Sequence, residues 1–213
     1  MKYKLIIFDM DGLMFDTELM YYNSWFEFTD KYDFNFDENM RTKLVGKNEE
    51  AIRNELIKLL GSEEEVKMLR KDLNAYRRNY FKTYTTSLKK EGLQELLDFA
   101  KGNDIKCALA SSSDRDKIEF LLDKENIKDY FDCIISGDEV ERSKPDPEIF
   151  IKAKGKFNIE NCEALILEDS YNGYLACQSS GMDYRIIHDS SFDKYFEADR
   201  EAKNLREVIE LLK

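Results

Sequence analysis

Imidazole is almost missing from this chain. His188 is the single histidine among 213 residues, so a mechanism built on histidine has almost nowhere to come from, and His188 reads as a residue at a strand end. Basic charge is also short: 33 Lys and Arg face 44 Asp and Glu, for a net charge of -11. That balance argues against a nucleic-acid groove or an anionic membrane surface, both of which favour a basic face. An anionic substrate would need local positive charge. Cys107, Cys133, Cys162 and Cys177 have no CxxC spacing. Their mostly apolar surroundings read as reduced structural thiols, which points to the cytoplasm. No stretch approaches the ~18 to 20 apolar residues of a membrane span, and acids interrupt the short apolar run of the start MKYKLIIFDMDG, unlike a signal peptide. Low-complexity segments and internal repeats are lacking as well. What is there is 42% apolar content, enough for one domain with a large insertion or for two modest domains.

The N-terminal run YKLIIF is apolar and of strand length, as expected in a parallel sheet covered on both faces. KCALA at 106–110, CIIS at 133–136, ALIL at 164–167 and RII at 185–187 resemble it. Helical patterns lie between them: Leu93, Leu96, Leu97 and Ala100 repeat at i, i+3, i+4, i+7, and Leu205, Val208, Ile209 and Leu212 mark a closing amphipathic helix. The alternation predicts an α/β fold, an open parallel sheet flanked by helices. Residues 15–90 break that rhythm. Trp25, Phe26 and Phe28 open a helical stretch, then Ile52, Leu56, Leu59 and Leu60 share a face. Gly61 closes that helix, and Ser62 with Glu65 forms a capping box for one running through Val66, Leu69, Leu73 and Tyr76. The expected division is therefore a discontinuous core, 1–14 with 91–213, and an inserted helical bundle at 15–90. An insert placed just after the first strand sits where open α/β sheets bind ligands, and it could act as a lid.

Four stretches rich in polar groups follow the apolar strands: Asp9-Met10-Asp11-Gly12, Ser111-Ser112-Ser113, Lys144-Pro145 and Glu168-Asp169-Ser170. Each alone has an ordinary alternative. The aspartates read as loop acids, Ser113 with Asp116 as a helix cap, Lys144 as a turn lysine, and Asp169 or Ser170 as the N-cap of a helix ending at Gly181. Together they gather carboxylates, hydroxyls and an ammonium at one sheet edge. Asp9 and Asp11 are too close to be left uncompensated. Hard oxygen ligands from Asp9, Asp11 and Asp169 suit Mg²⁺. Ser111 and its followers, at a helix start, offer hydroxyl and N–H groups to a phosphate oxygen, and Lys144 adds positive charge. That chemistry fits phosphoryl transfer.

FDMDGLMFDTE, ALASSS, SKPDPEIF and ILEDSYNGYLACQSSGM resemble, in order, the four motifs of the haloacid dehalogenase (HAD) superfamily of hydrolases, in the branch of β-phosphoglucomutase and sugar phosphate phosphatases. The resemblance implies a Rossmann-like HAD core with an α-helical cap. It makes Asp9 the nucleophile that forms an aspartyl-phosphate, and Asp11 the general acid and base whose backbone carbonyl binds metal. Ser111 and Ser112 would sit at the phosphate, with Gly12 letting the backbone pass close to it. Lys144 would bridge the phosphate and Asp9. Asp169 would bind Mg²⁺, with Glu168 a second or water-mediated ligand and Asn172 and Gly173 in support. The implied activity is phosphatase action on small phosphorylated metabolites, sugar phosphates above all, by a monomer.

Mutases of the branch carry a histidine in the first cap helix and an arginine after a glycine in the second cap segment. Here Tyr21 and Glu49 stand at those places, which favours hydrolysis over the alternative, a β-phosphoglucomutase. Lys47 is a candidate substitute cation. Met14, Thr17, Tyr21, Tyr22 and Arg53 are further candidates for specificity, although the aromatic residues also read as bundle packing. A more remote alternative is a signalling phosphoacceptor, but such domains are shorter and place the acceptor aspartate after a middle strand.

Overall fold

The structure is a computed structural model that describes residues 2–44, 49–188 and 196–213. Its sheet is built from β1 (Leu5–Phe8), β2 (Lys106–Ala110), β3 (Cys133–Ile135), β4 (Ala164–Glu168) and β5 (Asp183–Ile186). The spatial order is β3-β2-β1-β4-β5, every neighbouring pair parallel. β1 is therefore central. Its four residues are all fully buried because helices cover both faces, and this is why it reads as an unbroken apolar run rather than an alternating one. Leu5 and Ile7 pack with Phe150, Ala153, Ala176 and Cys177 on one face, while Ile6 and Phe8 alternate to the other. β5 starts two residues before the expected RII run, because Asp183 and Tyr184 pair with Leu165 and Ile166.

The chain divides into two compact units, Met1–Asp16 with Ser87–Lys213, and Thr17–Thr86. The sheet unit carries α5 (Leu93–Gly102), α6 (Arg115–Lys124), α7 (Glu148–Lys154), α8 (Tyr171–Ser180) and α9 (Leu205–Leu212). α5 packs on α9, and α7 packs on α8. All four apolar positions foreseen for α5 are buried. Within this unit the chain's outgoing and returning segments pair: Asp16 N–H donates to the Leu88 carbonyl at 2.9 Å and Lys90 N–H to the Met14 carbonyl at 2.9 Å. Glu125, buried at the end of α6, accepts from Ser87 Oγ at 2.7 Å and from Leu88 N–H at 3.0 Å.

The helical unit holds α1 (Glu18–Phe26), α2 (Glu38–Leu44), α3 (Glu49–Leu60) and α4 (Glu63–Thr83). Trp25, Phe36, Met40, Leu56, Val66, Leu69 and Leu73 form its core. The expected end of α3 and start of α4 are present: Gly61 has φ +75°, and Ser62 Oγ accepts from Glu65 N–H. Leu59 is an exception to the expected α3 face, being exposed while Leu56 is fully buried. The aromatic residues pack among themselves, Trp25 stacking on Phe36 at 5.3 Å and Tyr22 contacting Phe26 and Phe36. The thiols also divide: Cys107 and Cys177 are buried, but Cys162 is exposed, and all four are free. Among the described residues no helix is long and apolar enough to cross a membrane.

Candidate active site

Parallel β1 and β4 are neighbours with Phe8 opposite Leu167, so the residues that leave their carboxyl ends, Asp9 and Glu168-Asp169, come together. Asp9 N–H donates to the Leu167 carbonyl at 3.0 Å, which anchors the first residue of the loop to the adjacent strand. One oxygen from each of Asp9, Glu168 and Asp169 lies within 4.8 Å of the others. Asp9 is 7% exposed and Glu168 1%. The Lys144 ammonium, 6% exposed at its side chain, donates to Asp9 Oδ1 and to Glu168 Oε1, the latter at 2.7 Å. Three carboxylates converge here while Lys144 bridges two of them, an excess of acidic groups over the ammonium brought to them. That imbalance and the all-oxygen donor set fit a divalent cation of the Mg²⁺ kind.

Glu168 does more than face the cluster. Its Oε2 accepts from the backbone N–H groups of Asp169 and Ser170, each at 2.6 Å, and from Ser170 Oγ at 3.1 Å. Ser170 Oγ in turn accepts from Gly173 N–H at 3.1 Å, so Ser170 is the N-cap of α8, and Gly181 closes the helix at φ +73°. Gly173 has a specific reason to be glycine. A Cβ there would stand 1.7 Å from Glu168 Oε1. The sequence alone assigns this glycine no more than a supporting place, yet Glu168 fits beneath α8 because it is there.

Burial pushes the Asp9 carboxyl up to about 7; Lys144 pulls it back and Glu168 pushes it further up. Burial acts in the opposite sense on Lys144, but Asp9 and Glu168 outweigh it and hold the ammonium above its ordinary value.

The turn after β1 needs Gly12, whose φ of +83° lies in the left-handed region. Gly12 N–H donates to the Phe15 carbonyl at 3.1 Å. β2 delivers Ser111, buried, with Ser111 Oγ accepting from Ser113 N–H at 3.1 Å. Ser112 is exposed, but its backbone is tightly seated: a Cβ on Gly137 would fall 2.2 Å from the Ser112 carbonyl oxygen. The N-cap of α6 is Asp114, which accepts from Lys117 N–H at 2.8 Å, and not Ser113. Ser113 Oγ is instead turned onto Asp11 Oδ2 at 2.7 Å. Lys117 Nζ donates to that same oxygen at 2.7 Å. Asp11 is thus placed beside the cluster with its carboxylate bound to α6 rather than among the three converging oxygens. Lys117 lies inside α6 and not at a strand end, so it carries no strand-end signal in the sequence. Its signal was a lysine in the first turn of a helix, where the macrodipole disfavours a cation by ~0.3–1 kcal/mol.

Tyr21 contacts Phe81 at 5.9 Å and lies under the Arg77 guanidinium at 4.6 Å. Arg53 pairs with Glu63 at 2.5 Å on the surface of the helical unit. Lys47 and the side chain of Glu49 lie outside the described residues.

The family model of the haloacid dehalogenase-like hydrolases matches residues 6–187, and the chain belongs to that family. A phosphorylated carbohydrates phosphatase of Thermotoga maritima is 29% identical over 187 residues, which cover 86% of this chain and 85% of that protein. A β-phosphoglucomutase of Bacillus subtilis is 30% identical over 184 residues, covering 84% and 80%. The crystal structure of β-phosphoglucomutase from Clostridium difficile is similar in fold, with a TM-score of 0.78 at 25% identity and coverage of 97% of this chain and 93% of that one. The chain is a HAD-type hydrolase of the phosphatase kind, with a parallel-sheet core and a helical cap.

Proposed function

We propose that this protein is a Mg²⁺-dependent phosphatase of small phosphorylated metabolites, with sugar phosphates as the substrate class, working through an aspartyl-phosphate on Asp9. The observation that carries the reading is the buried convergence of Asp9, Glu168 and Asp169 around which Lys144 bridges two of the three. Asp9 and Asp169 would hold the ion, with the Asp11 carbonyl, and Glu168 directly or through water. When bound, Mg²⁺ supplies positive charge against the phosphate oxygens.

An Asp9 oxygen attacks phosphorus in line, and the bond from phosphorus to the leaving oxygen breaks. Asp11 gives that oxygen its proton. Water then attacks the same phosphorus, Asp11 takes its proton, and the phosphorus–Asp9 bond breaks to release inorganic phosphate. Attack needs Asp9 ionised, and Lys144 favours that state. The Ser111 hydroxyl and the Ser112 N–H receive phosphate oxygens, with Gly12 lining the approach.

Similarity to the Bacillus subtilis mutase supports a second reading, transfer of the phosphoryl group between positions of one sugar. Tyr21 and Glu49 stand where that reaction would call for a histidine and an arginine. Glu49 would repel a second phosphate, and hydrolysis is preferred. The experiment is a screen of phosphorylated metabolites with and without Mg²⁺, beside Asp9→Asn and Asp11→Asn. Metal-dependent phosphate release lost in Asp9→Asn supports the proposal. Full release by Asp9→Asn overturns the mechanism. Glucose 6-phosphate formed from β-glucose 1-phosphate and a bisphosphate primer, without matching free phosphate, establishes the mutase instead.

A further inference from the structure

Asp11 has to exchange a proton twice in the proposed cycle, with a leaving oxygen and then with water, so the direction of its carboxylate matters to the rate. The structure gives that carboxylate a dedicated support. Ser113 Oγ and Lys117 Nζ both donate to Asp11 Oδ2 at 2.7 Å, and Lys117 Nζ also reaches Ser113 Oγ at 2.8 Å, closing a triangle. Each corner is held by its own backbone. Asp11 lies in the turn fixed by Gly12 and by the bridge between Asp11 and Phe15. Ser113 is tied down through its N–H to Ser111 Oγ and through its carbonyl to Gly137 N–H at 2.9 Å. Lys117 is set by the Asp114 cap of α6. The side chains of Lys117 and Asp11 are 23% and 20% exposed, enough cover to strengthen a charge-assisted hydrogen bond over its value in water.

Lys117 also stands against its local field. It occupies the first turn of α6, beside Arg115, where unsatisfied N–H groups already present positive potential. A cation there needs an anion to repay that cost. Asp114, the N-cap of the same helix, is engaged through its Oδ1 with the backbone N–H of Lys117, and the ammonium turns to Asp11.

We propose that Lys117 is a positioning residue which, with Ser113, grips Asp11 by Oδ2 and fixes the orientation in which Asp11 meets the leaving oxygen. The role rests on the phosphatase reading above. Without the grip, Asp11 samples other rotamers and protonates the leaving oxygen less often. The loss must then depend on how much the leaving group needs a proton. An alkoxide needs one; 4-nitrophenolate leaves without it.

The test is kcat/KM, which reports steps up to departure of the leaving group, for an alkyl phosphate that the wild-type protein hydrolyses and for 4-nitrophenyl phosphate, both with Mg²⁺. Lys117→Met is expected to lower kcat/KM roughly 10- to 100-fold on the alkyl ester, part of the roughly 10²- to 10⁴-fold that general acid catalysis supplies in full, and less than about threefold on the nitrophenyl ester. Lys117→Arg restores most of the alkyl activity, and Ser113→Ala shows a smaller loss with the same dependence on leaving group. In an Asp11→Asn background Lys117→Met adds nothing further. An equal loss on both esters in a variant with a wild-type circular dichroism spectrum, or no loss on the alkyl ester, overturns the inference while leaving the phosphatase standing. Should Lys117→Met not fold, Ser113→Ala with a leaving-group-independent effect overturns it equally. A wild-type protein that, with Mg²⁺, releases phosphate from no ester of the metabolite screen and none from 4-nitrophenyl phosphate removes the phosphatase reading and the inference with it.

Discussion

At the scale of single residues, Lys144 has two buried carboxylates to satisfy and Asp9 has one ammonium to share. The Asp9 carboxyl, raised by burial from 3.8 to about 7, titrates higher in the folded chain than in the unfolded one. Folding therefore takes up a proton there, and the stability this group contributes is greatest below the ordinary aspartate value and is lost as pH rises through the folded one. In the metal-free protein Asp9→Asn is expected to raise the melting temperature near neutral pH, and the gain should fade as pH is lowered toward 3.8. Scanning calorimetry in chelator across that window checks it, and a gain that grows on acidification contradicts it. Mg²⁺ works in the other direction. At a hundredfold excess over its dissociation constant it should stabilise the wild-type protein by about 2.7 kcal/mol, and Asp169→Asn by much less.

Among elements, α8 and the end of β4 are fitted to each other through a missing side chain. Gly173→Ala should improve the intrinsic helix propensity of α8, yet the new methyl, 1.7 Å from Glu168 Oε1, must displace that carboxylate from Lys144. The expected result is a loss of about 1–3 kcal/mol in stability and a roughly 10- to 100-fold fall in Mg²⁺ affinity by titration calorimetry. Gly102→Ala, where a Cβ meets nothing within 4 Å, serves as the control and should leave affinity unchanged. Such contacts explain what was and was not legible beforehand. The strands could be read because central parallel strands are buried on both faces and are written as continuous apolar runs. Asp9, Ser111 and Asp169 could be read because they stand directly after those runs. Lys117 could not, since its place depends on one turn of helix carrying it back over Ser113, and the reason for Gly173 exists only between two elements. Ser113 and Asp114 both suit an N-cap, so sequence alone could not tell which would serve and which would turn to Asp11.

For the molecule as a whole, the division into two compact units separates stability from chemistry. Leu73 is fully buried in the core of the helical unit. Leu73→Ala should cost about 2–5 kcal/mol but leave the Mg²⁺ affinity of the carboxylate cluster, built wholly from the other unit, within about twofold while the fold persists. Calorimetry of melting and of metal binding on the same variant decides this, and a large fall in affinity would mean that the two units do not act separately. The paired segments around Asp16 and Leu88 carry a consequence for engineering. Because the chain departs and comes home through one doorway, its two jambs already hydrogen-bonded to each other, the whole helical unit, Thr17–Thr86, can be unplugged. A short glycine bridge from Asp16 to Ser87 should then yield a miniature that still folds and still takes up its ion.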